Sequence, residues 1–226
     1  MIIEDNFPWD YIRFNIDSRL LWYMNPKCCS TTIKSIIGKW ERSPTVGDRK
    51  FKISKIDEYR SFGFVRNPYE RIFSAYKMLR ASNTVDHSAP KLRPPSTPAS
   101  NFEDFVKQIA GGHYWNDHID PQVNYLPVMI DNIKIDFIGK VENFNNDWMT
   151  LQEIINYRPI KNIKDVPKIQ PKSLIKSLNM KVIKTEYESI KKEMNFSTMK
   201  KIQDFYKQDF IMFGYDFDDV GDFKIT

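Results

Sequence analysis

The sequence predicts an α/β fold, because twice in its first third a short apolar run stops at a proline-marked turn and continues in helical spacing. The first instance runs from Leu20 to Lys34 and breaks at Asn25-Pro26; the second runs from Phe62 to Tyr76 and breaks at Asn67-Pro68. A third apolar run, Ile135 to Gly139, is also followed by a helical pattern. Strands that alternate with helices bury their apolar faces by packing the helices onto a sheet.

Along the chain, Arg19 to Asn25 reads as a strand and Thr31 to Trp40 as the helix it feeds. Ser61 to Arg66 reads as a second strand. Tyr69 to Ala81 follows as a helix, with Pro68 at its first position and Ile72, Tyr76 and Leu79 at helical spacing. Asn83 to Ser100 contains Pro90, Pro94, Pro95 and Pro98 among serines and threonines, which predicts a long flexible loop. A helix over Phe102 to Ala110 leads into a loop over His113 to Gln122. The strand at Ile135 to Gly139 precedes a helix over Asn146 to Tyr157, whose Trp148, Leu151, Ile154 and Ile155 share a face. Asn162 to Asn179 reads as irregular. The last helix runs from Ser197 to Lys207 and turns Met199, Ile202, Phe205 and Tyr206 inward. There is no internal repeat, so one domain over residues 1–226 is expected.

The turn from Met24 to Thr32 has the composition of an anion cradle. A strand that feeds a helix through a short loop aims backbone N–H groups and the positive end of the helix dipole at one point. Lys27 adds a mobile positive charge there, and Ser30, Thr31 and Thr32 could cap the helix and hydrogen-bond the same anion. In isolation the segment reads equally as an ordinary turn with an exposed lysine and a hydroxyl cap. It is not a Walker A loop, since G-x-x-x-x-G-K-[ST] is absent and the lysine precedes the hydroxyl cluster. Arg66 falls at the carboxyl end of the second strand, the edge where open α/β sheets bind ligands.

Ordered motifs narrow this reading. They are Pro26-Lys27-x-x-Ser30-Thr31, Phe64-Val65-Arg66-Asn67-Pro68-Tyr69-x-Arg71-x-x-Ser74-Ala75-Tyr76, His118-x-x-Pro121-Gln122 and Asp136-Phe137-Ile138-Gly139-Lys140-Val141-Glu142. With a closing Tyr206-x-x-Asp209-Phe210-x-x-Phe213-Gly214-Tyr215, the set resembles the carbohydrate sulfotransferases often called sulfotransferase family 2, from Leu20 to Tyr215. The resemblance implies a single P-loop-like domain with a central parallel sheet flanked by helices. It also implies 3′-phosphoadenosine 5′-phosphosulfate (PAPS) as sulfuryl donor and a hydroxyl acceptor, of a carbohydrate. On it, Lys27 binds the 5′-phosphosulfate and steadies the bridging oxygen as it leaves. Cys28, Cys29, Ser30, Thr31 and Thr32 then line the donor loop, and Arg66 and Ser74 bind the donor's 3′-phosphate. A guanidinium fork suits a phosphate dianion. Two positions depart from the pattern: Cys29 stands where the loop usually has glycine, and Ile119 where a tryptophan often follows the histidine.

Sulfuryl transfer asks for an in-line acceptor oxygen, charge stabilisation on the leaving oxygen and a base for the acceptor hydroxyl. Of the three histidines, His118 stands in the His-x-x-Pro-Gln element, which points to it as the base. His113 is its nearest rival, and His87 lies in the proline-rich loop. Glu142 is the other candidate; it could instead orient a catalytic side chain or pair with a nearby cation. A histidine near Tyr114 and Trp115 also has a plain packing reading.

Composition bounds the rest. With 226 residues, 41% of them hydrophobic and 14% aromatic, the chain can bury one substantial core, which excludes a disordered polymer. No apolar run approaches the ~20 residues that span a bilayer. Met1 to Asp10 carries acids and a proline instead of a signal sequence, so a cytoplasmic location is expected. The adjacent Cys28 and Cys29 are the only cysteines and predict neither a disulfide framework nor a metal site. A net charge of +5 does not imply nucleic acid, and nucleic-acid reading motifs are absent. From Lys161 to Lys201 eleven lysines face four acids, a run that could steer an anionic donor or glycan, or simply stay solvated. Two other classes compete. A nucleotide-dependent kinase on a P-loop scaffold lacks its Walker A and an acidic strand end for magnesium. A non-catalytic polyanion-binding protein would need Arg66 and the lysine run but neither Lys27 nor His118.

Overall fold

The computed structural model describes residues 11–16, 18–37, 40–42, 59–81, 99–114, 116–129, 135–157 and 194–218. They belong to two compact units, one formed from 1–65 with 122–178 and the other from 66–121 with 179–226. The predicted loop Asn83 to Ser100, up to residue 98, and the segment Asn162 to Asn179 lie outside the described residues. So do most of the lysines between Lys161 and Lys201; of the two described, Lys200 forms an exposed pair with Asp204 (2.7 Å).

The strands are β1 Ile12–Asn15, β2 Leu20–Tyr23, β3 Glu41–Arg42, β4 Arg60–Val65 and β5 Phe137–Lys140. The helices are α1 Ser30–Ile37, α2 Pro68–Ala81, α3 Phe102–Ala110, α4 Phe144–Tyr157, α5 Phe196–Phe205 and α6 Lys207–Phe213. The chain is thus α/β, as the sequence predicts.

The five strands among the described residues lie in the first unit and form one sheet in the order β3-β1-β2-β4-β5. β2 pairs parallel with β4, and β4 parallel with β5. β1 is antiparallel to both β2 and β3, so the expected parallel sheet carries an antiparallel margin. Its cause is local: a tight turn closes β1 onto β2, with Asn15 Oδ1 accepting from the Ser18 N–H (2.9 Å) and hydroxyl (2.6 Å) and Arg19 left-handed at φ +48°. Two strands joined by so short a connection must run antiparallel.

One face of the sheet presents Leu20, Trp22, Phe62 and Phe64, all fully buried, at the two-residue period of a strand. Trp22 and Phe62 are register partners and stack at 6.2 Å. α1 covers this face through Ile33, and α4 through Phe144, Trp148, Leu151 and Ile155. Trp40, expected at the end of the first helix, instead lies beyond it, beside Trp22 (5.3 Å) and Phe62. On the opposite face Gly63 admits Leu126, whose side chain occupies the space a Cβ would need. Gly139 does the same for the Phe64 ring. Gly139→Ala is therefore expected to destabilise the protein by roughly 1–3 kcal/mol, the usual range for overpacking. A thermal melt reads this as a lowered midpoint, and an unchanged midpoint would mean that the ring yields.

The second unit is helical. Asn67 Oδ1 accepts from the Tyr69 N–H (3.0 Å) and caps α2, with Pro68 at the first helical position as predicted. Asn101 and Asn195 cap α3 and α5 in the same way. Ile72, Tyr76, Phe102, Phe105, Ile109, Ile202 and Phe210 share its core. The last predicted helix, Ser197 to Lys207, is two: Tyr206, at φ −102° and ψ 21°, breaks it between α5 and α6. α6 closes on Gly214 at φ +61°, a left-handed cap that glycine takes without steric cost.

Candidate functional site

In the first unit β2, β4 and β5 run parallel, so their carboxyl ends share one edge. Two connections leave that edge within this unit: the turn from Met24 to Cys29 after β2, and the 3₁₀ turn Val141–Asn143 after β5. Glu142 lies exposed on the second of these. The edge is where ligands bind in open α/β sheets.

The first turn has an unusual backbone. Lys27 is at φ +68° and Cys29 at φ +58°, with Cys28 between them. Cys29 therefore adopts the left-handed conformation that glycine would supply, without being glycine. A left-handed L-residue costs roughly 1–2 kcal/mol, and such strain concentrates where function requires a particular geometry. Changing the hand of the backbone at successive residues turns N–H groups toward one concavity, the form of an anion-binding nest.

The Cys29 carbonyl accepts from the Ile33 N–H (3.0 Å), so Cys29 stands just ahead of α1. Ser30, Thr31 and Thr32 then form the first turn itself, a correction to their expected role as caps. Their backbone N–H groups are those that an α-helix leaves without intrahelical partners. No acid lies in this first turn to neutralise the positive end of the dipole. Thr32 is buried, Ser30 partly so, and Thr31 exposed. Lys27 is partly exposed, whereas Cys28 is buried, its thiol donating to Gln122 Oε1 (3.2 Å). Neither cysteine forms a disulfide.

The remaining candidates belong to the second unit. Arg66 precedes α2, and its Nε and Nη2 both donate to Glu70 Oε2 (3.1 and 3.0 Å). The pair holds the guanidinium in a defined orientation. Ser74 follows in the second turn of α2, eight residues beyond Arg66. His118 lies in a compact turn that Asn116 closes: its Oδ1 accepts from the His118 N–H (2.8 Å), and its carbonyl from the N–H groups of Ile119 and Asp120. Ile119 is fully buried, so the position expected to carry tryptophan is a core position. Its carbonyl accepts from the Tyr206 hydroxyl (2.5 Å). Burial raises the Tyr206 pKa despite the opposing pull of Arg71, which keeps the hydroxyl protonated and donating.

His113 is exposed at the end of α3, and His87 lies outside the described residues. Sequence reasoning missed Glu70, Asn116 and the partners of Gln122. Glu70 is four residues from Arg66, a legible ion-pair spacing, and Asn116, two before His118, is legible as an Asx turn. Among the described residues no group of three or more His, Cys, Asp or Glu side chains is placed to hold a metal, and no helix is long and apolar enough to cross a membrane.

A family model described as "Sulfotransferase family" matches residues 10–216, which is most of the chain. No curated protein and no solved structure matches it.

Proposed function

The chain belongs to the sulfotransferase family, and from that premise we propose that it transfers a sulfuryl group from PAPS to a hydroxyl of a carbohydrate. The observation that carries the reading is the turn at Lys27–Cys29: two left-handed residues lead into a helix whose first turn has no acid, at the carboxyl edge of parallel strands. Such a turn suits a tetrahedral oxyanion group, and the donor brings three, the phosphate and sulfate of its 5′-phosphosulfate and the 3′-phosphate.

In this reading Lys27 and the N–H groups of the first turn of α1, with Cys28, Cys29, Ser30, Thr31 and Thr32 shaping the loop, hold the 5′-phosphosulfate. The donor supplies the sulfuryl group, whose bond to the bridging oxygen breaks as its bond to the acceptor oxygen forms. Lys27 takes up the charge that collects on the departing oxygen, an electrostatic role that needs no movement at the moment of reaction. His118 receives the proton of the acceptor hydroxyl. Glu142 is the alternative base. Arg66 and Ser74 bind the 3′-phosphate, with Glu70 orienting the guanidinium.

The test is a melt with and without the desulfated product, 3′,5′-adenosine bisphosphate, in the absence of magnesium. A ligand specific for the native state at a hundred times its Kd adds about 2.7 kcal/mol and raises the midpoint. Arg66→Ala is expected to weaken that ligand about 10- to 100-fold, the size of a lost charge-assisted hydrogen bond. Stabilisation only by ATP with magnesium would mark a kinase instead. Stabilisation by glycan alone would mark a non-catalytic binder.

A further inference from the structure

Gln122 is completely buried, yet its carboxamide reaches the loop that precedes α1, 97 residues back from it in the chain at Asn25. Its Oε1 accepts from Asn25 Nδ2 (3.2 Å) and from the Cys28 thiol (3.2 Å). Asn25 Nδ2 is shared with the Phe64 carbonyl near the end of β4 (3.2 Å). Asn25 and Cys28 are each 1% exposed, so no bulk water replaces these bonds if they are lost.

The geometry they hold is an expensive one. Cys28 sits between Lys27 and Cys29, both left-handed. Two such residues in a row of three relax toward ordinary backbone unless their surroundings hold them. Gln122 can serve as that hold because it is itself fixed. Its carbonyl accepts from the Tyr125 N–H (3.0 Å), and Leu126 packs over Gly63, where any Cβ would collide with it. Tyr125 and Leu126 are 2% and 1% exposed. The turn is therefore tied to β4 twice, through Asn25 directly and through Gln122 with the segment that rests on Gly63.

We propose that Gln122 is a positioning residue: through Asn25 and Cys28 it keeps the Lys27–Cys29 turn in the left-handed form that presents its N–H groups to the donor. This role rests on the donor reading of the loop. It differs from a purely structural role in one respect. A packing residue, once lost, lowers stability but leaves the folded fraction binding normally. A positioning residue, once lost, weakens binding in molecules that are still folded.

The experiment measures affinity for 3′,5′-adenosine bisphosphate by titration, well below each variant's thermal midpoint, with that midpoint recorded. Gln122→Met keeps the length and apolar contacts but removes the acceptor, and is expected to bind about tenfold more weakly. Cys28→Ala removes a donor from the other end of the link and is expected to weaken binding in the same direction. Cys28→Ser restores a donor and is expected to recover most of that loss. A folded Gln122→Met that binds as tightly as the unaltered protein overturns the proposal, whatever its midpoint. If Gln122→Met does not fold, the cysteine pair decides, and equal affinity of the alanine and serine variants overturns it. Failure of the unaltered protein to bind the product would instead overturn the donor reading, and this role with it.

Discussion

Lys27→Ala is expected to lower kcat by about 10²- to 10³-fold at saturating donor, the loss seen when one electrostatic stabiliser of a developing oxyanion is removed. The thermal midpoint should hardly move. Lys27 is partly exposed, so truncation opens no core cavity. Alanine at φ +68° bears the same left-handed cost as lysine, so the backbone term cancels. What disappears is one mobile cation beside the first turn of α1, a turn that has no acid of its own. Steady-state transfer of labelled sulfate, with a melt on the same preparation, separates the two effects. Near-normal kcat in this variant would remove Lys27 from the reaction.

His118→Ala is expected to cost about 10²- to 10⁴-fold in kcat at saturating substrates, the range for a positioned general base. The fold around it should survive, because the turn is held by main-chain groups and by its neighbours. Asn116 grips the backbone N–H of His118, Ile119 is buried, and Tyr206 grips the Ile119 carbonyl; none of these uses the imidazole. Donor-product affinity should be unchanged, which distinguishes a lost base from a collapsed site. If His118→Ala turns over at the unaltered rate, the role passes to Glu142 or His113, and the same assay on those variants assigns it.

Much of the scaffold was legible. α3 begins and ends at the residues expected for it, Phe102 and Ala110. β2 and β4 differ from expectation only at their ends. Arg19 is left-handed and belongs to the turn, and Met24 and Asn25 have already left the sheet. β1 went unread although Ile12-Arg13-Phe14-Asn15 alternates at a period of two. Four residues of alternation do not announce a strand until a partner is known, and the partner here is β2. The division between α5 and α6 was also invisible, since the apolar spacing continues through Tyr206 while its backbone does not.

At the site, the charged and hydroxyl groups proposed to act come from the ordered motifs that resemble the sulfotransferase family, and local spacing alone does not single them out. Cys29 shows the limit of that reading. A cysteine where glycine is usual argues against a left-handed turn on local grounds, and the turn is left-handed all the same. Surrounding bonds outweigh about 1–2 kcal/mol of local preference.

The sequence alone determined where β2, β4, β5 and the helices α1 to α5 would fall, to within a few residues, and which family's motifs the chain carries. These follow from periodicity, capping chemistry and residue type, all properties of near neighbours. Only the tertiary structure decided that Cys29 would take a glycine's conformation and that Gln122 would grip a loop 94 residues behind it at Cys28. Those outcomes depend on hydrogen bonds and packing between segments far apart in the chain, whose strength comes from burial that no local window contains.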